Sequence, residues 1–206
     1  MIGVNVHSAR TRKVFMNQST KRDEIIKAAL ELIAEHGFHG APMSMISEKA
    51  SVGAGTIYRY FENKDELIAK LFEDLSERLV SALRQNYSPA AGSKERFLHL
   101  CRSLMEYFIS HPVDFRFLEQ YFNSPYGVSM RREKIRGKAE EGDLFREFFE
   151  TGIERKVLKD FPLHIHFGMT IGPMIFLARD HILGLIDLSE GEIQKAAEAC
   201  WDAIKR

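Results

Sequence analysis

Cysteine occurs twice in 206 residues, tryptophan once and proline six times, and neither sign of charge prevails: lysine plus arginine and aspartate plus glutamate both number 29. Two cysteines cannot build a disulfide framework, which excludes the small stapled scaffolds of secreted proteins. Cys101 and Cys200 lie in apolar helical contexts and read as buried thiols in a reducing compartment, with a redox sensor as the alternative. The balanced charge gives no whole-chain argument for or against a polyanionic partner. The longest strongly apolar run, FGMTIGPMIFLA, stops at Arg179 and falls short of the ~20 residues of a membrane span, so no membrane partner is expected. The opening MIGVNVHSARTRKVF lacks the apolar core of a signal peptide, and a cytoplasmic protein is expected.

Motifs of chemistry are missing too. There is no Gly-x-Ser-x-Gly, phosphate loop, His-Glu-x-x-His or paired-cysteine pattern, so an enzyme is not expected, and neither is a cofactor. His164 and His166 invite a metal reading, but on a helix two positions apart they diverge by about 200° and cannot share an ion.

What is present is a hydrophobic content of 45%, enough for a real core, arranged with helical periodicity and without the sustained alternation of strands. The expected fold is all-α. Residues 1–19 read as a flexible N-terminal arm, or its first 15 as an upstream start. Residues 20–66 form an N-terminal three-helix domain that includes the start of a fourth helix, and 67–206 a larger helical domain. Thr20 and Asp23 make a capping box ahead of Ile26, Ala29, Leu30 and Ile33, and Gly37 ends that helix with Phe38 folded back on Ile33. A short helix starts with Pro42 at its first position. Asn63 caps a long fourth helix with Leu67, Leu71, Leu75 and Leu79 in one stripe. Further helices are expected near 93–110, 112–122, 128–156 (weakened at Gly137 and Gly142), 162–184 and 189–205, the last opened by the capping box Ser189 to Glu192.

Residues 1–64 hold nine Lys/Arg against six Asp/Glu, a local charge of +3, and within them lies SVGAGTIYRYFENKDEL, residues 51–67. On a helix, Ile57 and Phe61 fall on one stripe, with Thr56, Arg59 and Tyr60 roughly opposite and Tyr58 on the flank. One face packs and the other is offered outward. Two short helices joined by a tight turn on a preceding amphipathic helix make a helix-turn-helix, whose second helix suits a major groove about 12 Å wide. Gly53 serves as N-cap and Gly55 bares backbone N–H groups at the positive helix end, a phosphate-friendly surface. Tyrosine hydroxyls and Lys64 reach phosphate oxygens, while Ala54 and Thr56 are short enough for base edges.

The run Ile46-Ser-Glu-Lys-Ala50-Ser-Val52-Gly-Ala-Gly55-Thr56-Ile-Tyr58-Arg-Tyr60-Phe61-Glu-Asn63-Lys64-Asp-Glu-Leu67 resembles the DNA-binding domain of the TetR family of transcriptional regulators, I-A-x-x-A-G-V-S-x-G-T-x-Y-x-Y-F-x-(S/N)-K-(D/E)-x-L. The resemblance implies contacts to a double-stranded DNA operator from Ala54, Gly55, Thr56, Tyr58, Tyr60 and Lys64, with Arg59 on the same exposed side and Ser44 near the backbone. Ser51-Val52-Gly53 stands where the family prefers Gly-Val-Ser, so Ser51 is expected in a left-handed conformation costing about 1 kcal/mol. The family's Thr-Ser lead into the second helix is Ala41-Pro42 here, and its common arginine is Ser44.

Residues 94–206 carry 11 of the 15 phenylalanines. The resemblance implies a ligand-binding domain in this half and a homodimer through the last two helices, repression being the family default. Phe97, Cys101, Met105 and Phe108 share one face of the fifth helix, and Phe115, Tyr121, Phe122, Phe145, Phe149, Phe167 and Met174 are further candidates to line a site for a small lipophilic effector. Each is also an ordinary core residue. Glu106, Tyr107, Tyr121, His164 and Arg179 are possible polar handles, and Pro173 should kink its helix. Gly168 and Gly172, with Ala178, and Ala196, Ala199 and Ala203, with Ile193 and Ile204, are the expected dimer surface. The competing reading is a helical carrier of hydrophobic ligands without sequence-specific DNA binding, which leaves the tyrosine face without a task.

Overall fold

The computed structural model describes residues 20–136 and 143–206, and the expected N-terminal arm and the breaks at Gly137 and Gly142 lie outside them. Ten helices are described. They are α1 (Lys21–Gly40), α2 (Met43–Lys49), α3 (Ala54–Ile57), α4 (Lys64–Arg84), α5 (Ser93–Ser110), α6 (Pro112–Phe122), α7 (Pro125–Arg136), α8 (Leu144–Glu154), α9 (Leu163–Ile182) and α10 (Glu190–Ile204).

Local chemistry sets the ends. Thr20 Oγ1 accepts from the Asp23 N–H at 3.3 Å while the Asp23 carboxylate accepts from the Thr20 N–H at 3.0 Å, and these hydrogen bonds hold the Asp23 carboxyl below its ordinary value. Asn63 and Ser189 cap α4 and α10 as expected. Gly37 has φ +73°, but the element resumes to Gly40 beyond this kink. Phe38 there makes ring contacts with Phe117 and Tyr126, at 6.0 and 5.4 Å. Pro42 is the N-cap of α2, one place earlier than its expected first-turn position.

The single helix expected over 128–156 is two in the structure. Asp143, itself outside helical backbone, accepts from the Arg146 N–H and starts α8 afresh. At the start of α7, a Cβ on Gly127 would lie 2.3 Å from the Tyr121 carbonyl oxygen, so only glycine permits this approach of α7 to α6.

One core runs through both halves. Ile25, Ile33, Ile46, Ile57 and Leu67 are fully buried around the first three helices, and Phe97, Phe117 and Phe149 are fully buried in the larger domain. The halves are locked where α6 and α7 meet α1 and α4. Gln120 donates to the carbonyls of Ile33 (2.9 Å) and Ala34 (3.2 Å), in the turn of α1 that precedes the Gly37 kink. Phe72 of α4 stacks on Tyr121 at 4.0 Å.

Candidate nucleic-acid interface

The helix-turn-helix is built by a chain reversal that one residue makes possible. After α2, Ser51 adopts φ +53°, its N–H bonds to the Glu48 carbonyl and the Val52 N–H to the Ser47 carbonyl, both at 2.9 Å. This pair of bonds is a Schellman motif with serine where glycine is usual. Gly53 then caps α3 in extended backbone.

Regular helix lasts only from Ala54 to Ile57, followed by turns through Tyr60, and the Phe61 N–H still reaches the Ile57 carbonyl at 3.0 Å. The two expected faces therefore survive. Ile57 and Phe61 are buried, whereas Tyr58 is 56% and Tyr60 41% exposed. Ala54, Gly55 and Arg59 are exposed as well, Thr56 is half-buried, and Ser44 is exposed on α2. No atom lies within 4 Å of where a Gly55 Cβ would be. Ala54 and Gly55, in the first turn, leave their N–H groups without an intrahelical partner. The result is an outward surface of hydroxyls, one guanidinium and bare backbone donors.

Lys64 differs from its neighbours. Its ammonium donates to the carbonyls of Phe38 and Ala41, joining α4 to the end of α1, and partial burial lowers its pKa from the ordinary lysine value. Its lead role in this structure is thus to tie the domain together. Asp65 beside it accepts from the Tyr126 hydroxyl at 2.6 Å, a hydrogen bond that pushes the phenol up to about 12. The sequence reading passed over Met45, exposed on α2, and the pair Gln120 and Tyr126, whose partners are 61 to 87 residues away and leave no local signal.

The lipophilic candidates in the larger domain form a packed core. Phe97, Cys101, Met105, Phe149 and Met174 are fully buried, Phe108 and Tyr121 nearly so, and Phe122 and Phe167 half-buried. Burial pushes the Cys101 thiol far up, which suits an inert thiol. Two clefts among the described residues are lined by other residues. One, of about 900 Å³, lies between α4 and the end of α5 and includes Arg78, Tyr107 and His111. The other, of about 430 Å³, lies beside Arg84, Arg96 and Phe148. Of the polar handles, Tyr107 donates to buried Asp114 at 2.6 Å, Arg179 pairs with Glu119, and His164 is exposed. His166 is wholly buried, so the two histidines do face different surroundings.

A helix-turn-helix mounted on a larger helical domain defines a DNA-binding regulator. Residues 25–71 match the model of bacterial regulatory proteins of the tetR family, and residues 93–205 match a tetracyclin repressor-like C-terminal domain. The chain belongs to the TetR family of transcriptional regulators. It is 24% identical over 185 residues to an uncharacterised HTH-type transcriptional regulator of Haemophilus influenzae, covering 89% of this chain and 95% of that one. It is 37% identical over 73 residues to the fatty acid metabolism regulator protein of Bacillus subtilis, a match that spans 35% of this chain and 38% of that relative's length. A TetR family regulator from Marinobacter aquaeolei superposes with TM-score 0.79 at 21% identity, over 90% of this chain and 96% of that one. The Haemophilus influenzae TetR-family regulator superposes with TM-score 0.76 at 22% identity, over 90% and 97%. No helix among the described residues is long and apolar enough to cross a membrane.

Proposed function

We propose that the protein is a cytoplasmic, homodimeric repressor that binds a palindromic operator and is released from it by a small lipophilic effector. The observation that carries the DNA-binding part is the exposed face of Tyr58, Arg59 and Tyr60 beside Ala54, Gly55 and Thr56, set on a buried face of Ile57 and Phe61. Tyrosine hydroxyls, Arg59 and Ser44 serve the phosphates, and Thr56 and Ala54 the base edges. Lys64, by joining α1 to α4, holds this surface in place and stands close to the phosphates.

The dimer reading is supported by α9. Ile165, Gly168, Met169, Gly172 and Phe176 fall within about 100° of one another on the helix. Ile165, Met169 and Phe176 are 37%, 40% and 56% exposed, and nothing lies within 4 Å of a Cβ at either glycine. Exposed Ala199, with half-buried Ala196 and Ala203, extends the surface on α10. Ala178, Ile193 and Ile204, expected in that surface, are instead buried within the chain. They lie toward the core side of their helices, and the interface is built from the glycine stripe and the alanines. Two recognition helices in such a dimer meet half-sites about one DNA turn apart, roughly 34–36 Å, or a multiple of it.

Selection of binding sites from random duplex DNA tests the reading. A palindromic consensus is expected, together with a dimer by sedimentation at micromolar concentration; sequence-blind retention by a monomer would leave the carrier reading in its place.

A further inference from the structure

The cleft of about 430 Å³ gathers the last turn of α4, the loop after it, the first turn of α5 and one face of α8. Two arginines reach it, Arg84 and Arg96, and neither guanidinium makes a hydrogen bond or an ion pair among the described residues. Arg96 is held over the ring of Phe148 at 5.4 Å, and its Nε is buried without a hydrogen-bond partner. A guanidinium N–H in that state has given up water for nothing, which is costly unless another group meets it. Glu147 is the one carboxylate of the lining, and it does not pair with either arginine. Two cations and one anion leave a formal charge of +1, matched to a monoanion and not to a dianion.

The rest of the wall sets the body of the ligand. Tyr87 and Thr151 offer hydroxyls, and Phe148 an apolar ring that continues inward to Phe97 at 5.7 Å and Phe149 at 5.8 Å. We propose that this cleft binds a small organic monocarboxylate, its head held by Arg84 and Arg96 and its apolar body laid along Phe148. A guanidinium fork fits a carboxylate in two hydrogen bonds, and a volume of this size falls in the range of small-molecule sites. The site stands on its own residues and does not depend on the DNA-binding reading. Its place would matter to that reading, since Arg84 and Lys64 are the two ends of α4, roughly 30 Å apart.

Trp201, the single tryptophan, reports on the cleft because Phe97 lies 5.7 Å from both its ring and that of Phe148. The full chain is titrated with phenylacetate and hexanoate and with phenylacetamide and hexanamide, followed by tryptophan fluorescence and calorimetry. The acids are expected to bind at least about tenfold more tightly than the amides, Arg96→Gln and Arg84→Gln each to weaken them by about tenfold or more, and Glu147→Gln to tighten them. Arg84 is exposed and unpaired, so Arg84→Gln decides the matter even where Arg96→Gln disturbs packing on Phe148. Absence of acid binding at millimolar concentration, equal binding of acids and amides, or acid binding indifferent to Arg84→Gln overturns the proposal. Operator binding is measured separately on the same samples, and its absence would bear on the regulator reading alone.

Discussion

Ser51 makes the α2 to α3 reversal with a side chain in a conformation that favours glycine. Ser51 is exposed, so Ser51→Gly relieves this backbone strain and leaves no buried space behind. That substitution should raise stability by about 1 kcal/mol, read as a shift of the urea midpoint with unchanged slope. His166 is a second special residue. Nε2 faces the Lys159 carbonyl at 3.1 Å and so donates, which leaves Nδ1 as a buried acceptor without a partner. Phe149 and Phe161 flank the ring, and burial lowers its pKa below the ordinary value of about 6.5. Above that value both folded and unfolded states are neutral, and stability is at its full level. As pH falls below it the unfolded chain takes up a proton that the folded chain refuses, so stability declines until the lower folded value is passed. His166→Phe should flatten this decline relative to wild type when unfolding is measured from pH 7 to pH 5. An unchanged slope would mean that His166 is not the group responsible.

At the scale of elements, the joint between α1 and α6 rests on Gln120, whose carboxamide serves two carbonyls at the Gly37 kink. Gln120→Leu should cost about 1–2 kcal/mol, seen as a lower urea midpoint, because the carbonyls of Ile33 and Ala34 keep their burial and lose their donor. Such joints mark the limit of what could be read in the sequence. Caps at Thr20, Asn63 and Ser189 and the two faces around Ile57 and Phe61 were legible because their partners are three or four residues apart. Ser51 was legible because a family pattern names the position. The Asp143 cap was hidden by helical periodicity on both sides, and the tie that Lys64 makes to the Phe38 and Ala41 carbonyls was hidden because its partners are backbone atoms with no sequence signature. The apolar residues of α5 to α9 could be assigned to a common interior, but periodicity does not separate a filled core from a cavity wall.

For the whole molecule, the proposed function requires two surfaces to act together, the open stripe of α9 pairing the chains and the tyrosine face of the helix-turn-helix meeting DNA. Met169→Glu places a charge in the middle of the stripe at a position exposed in the single chain. The variant should fold with unchanged helical content, sediment as a monomer at micromolar concentration and bind a two-half-site duplex at least about a hundredfold more weakly, since joint binding of two half-sites is lost. The proposed function stands or falls on recognition of a specific duplex by the Tyr58 to Tyr60 surface. Fluorescence anisotropy on the selected duplex and a scrambled one, for wild type and Tyr60→Ala over a series of salt concentrations, tests it most directly. Wild type is expected to favour the selected duplex by about a thousandfold or more and to weaken linearly in log salt, and Tyr60→Ala to lose that preference. Equal affinity for both duplexes, or a preference untouched by Tyr60→Ala, would contradict it.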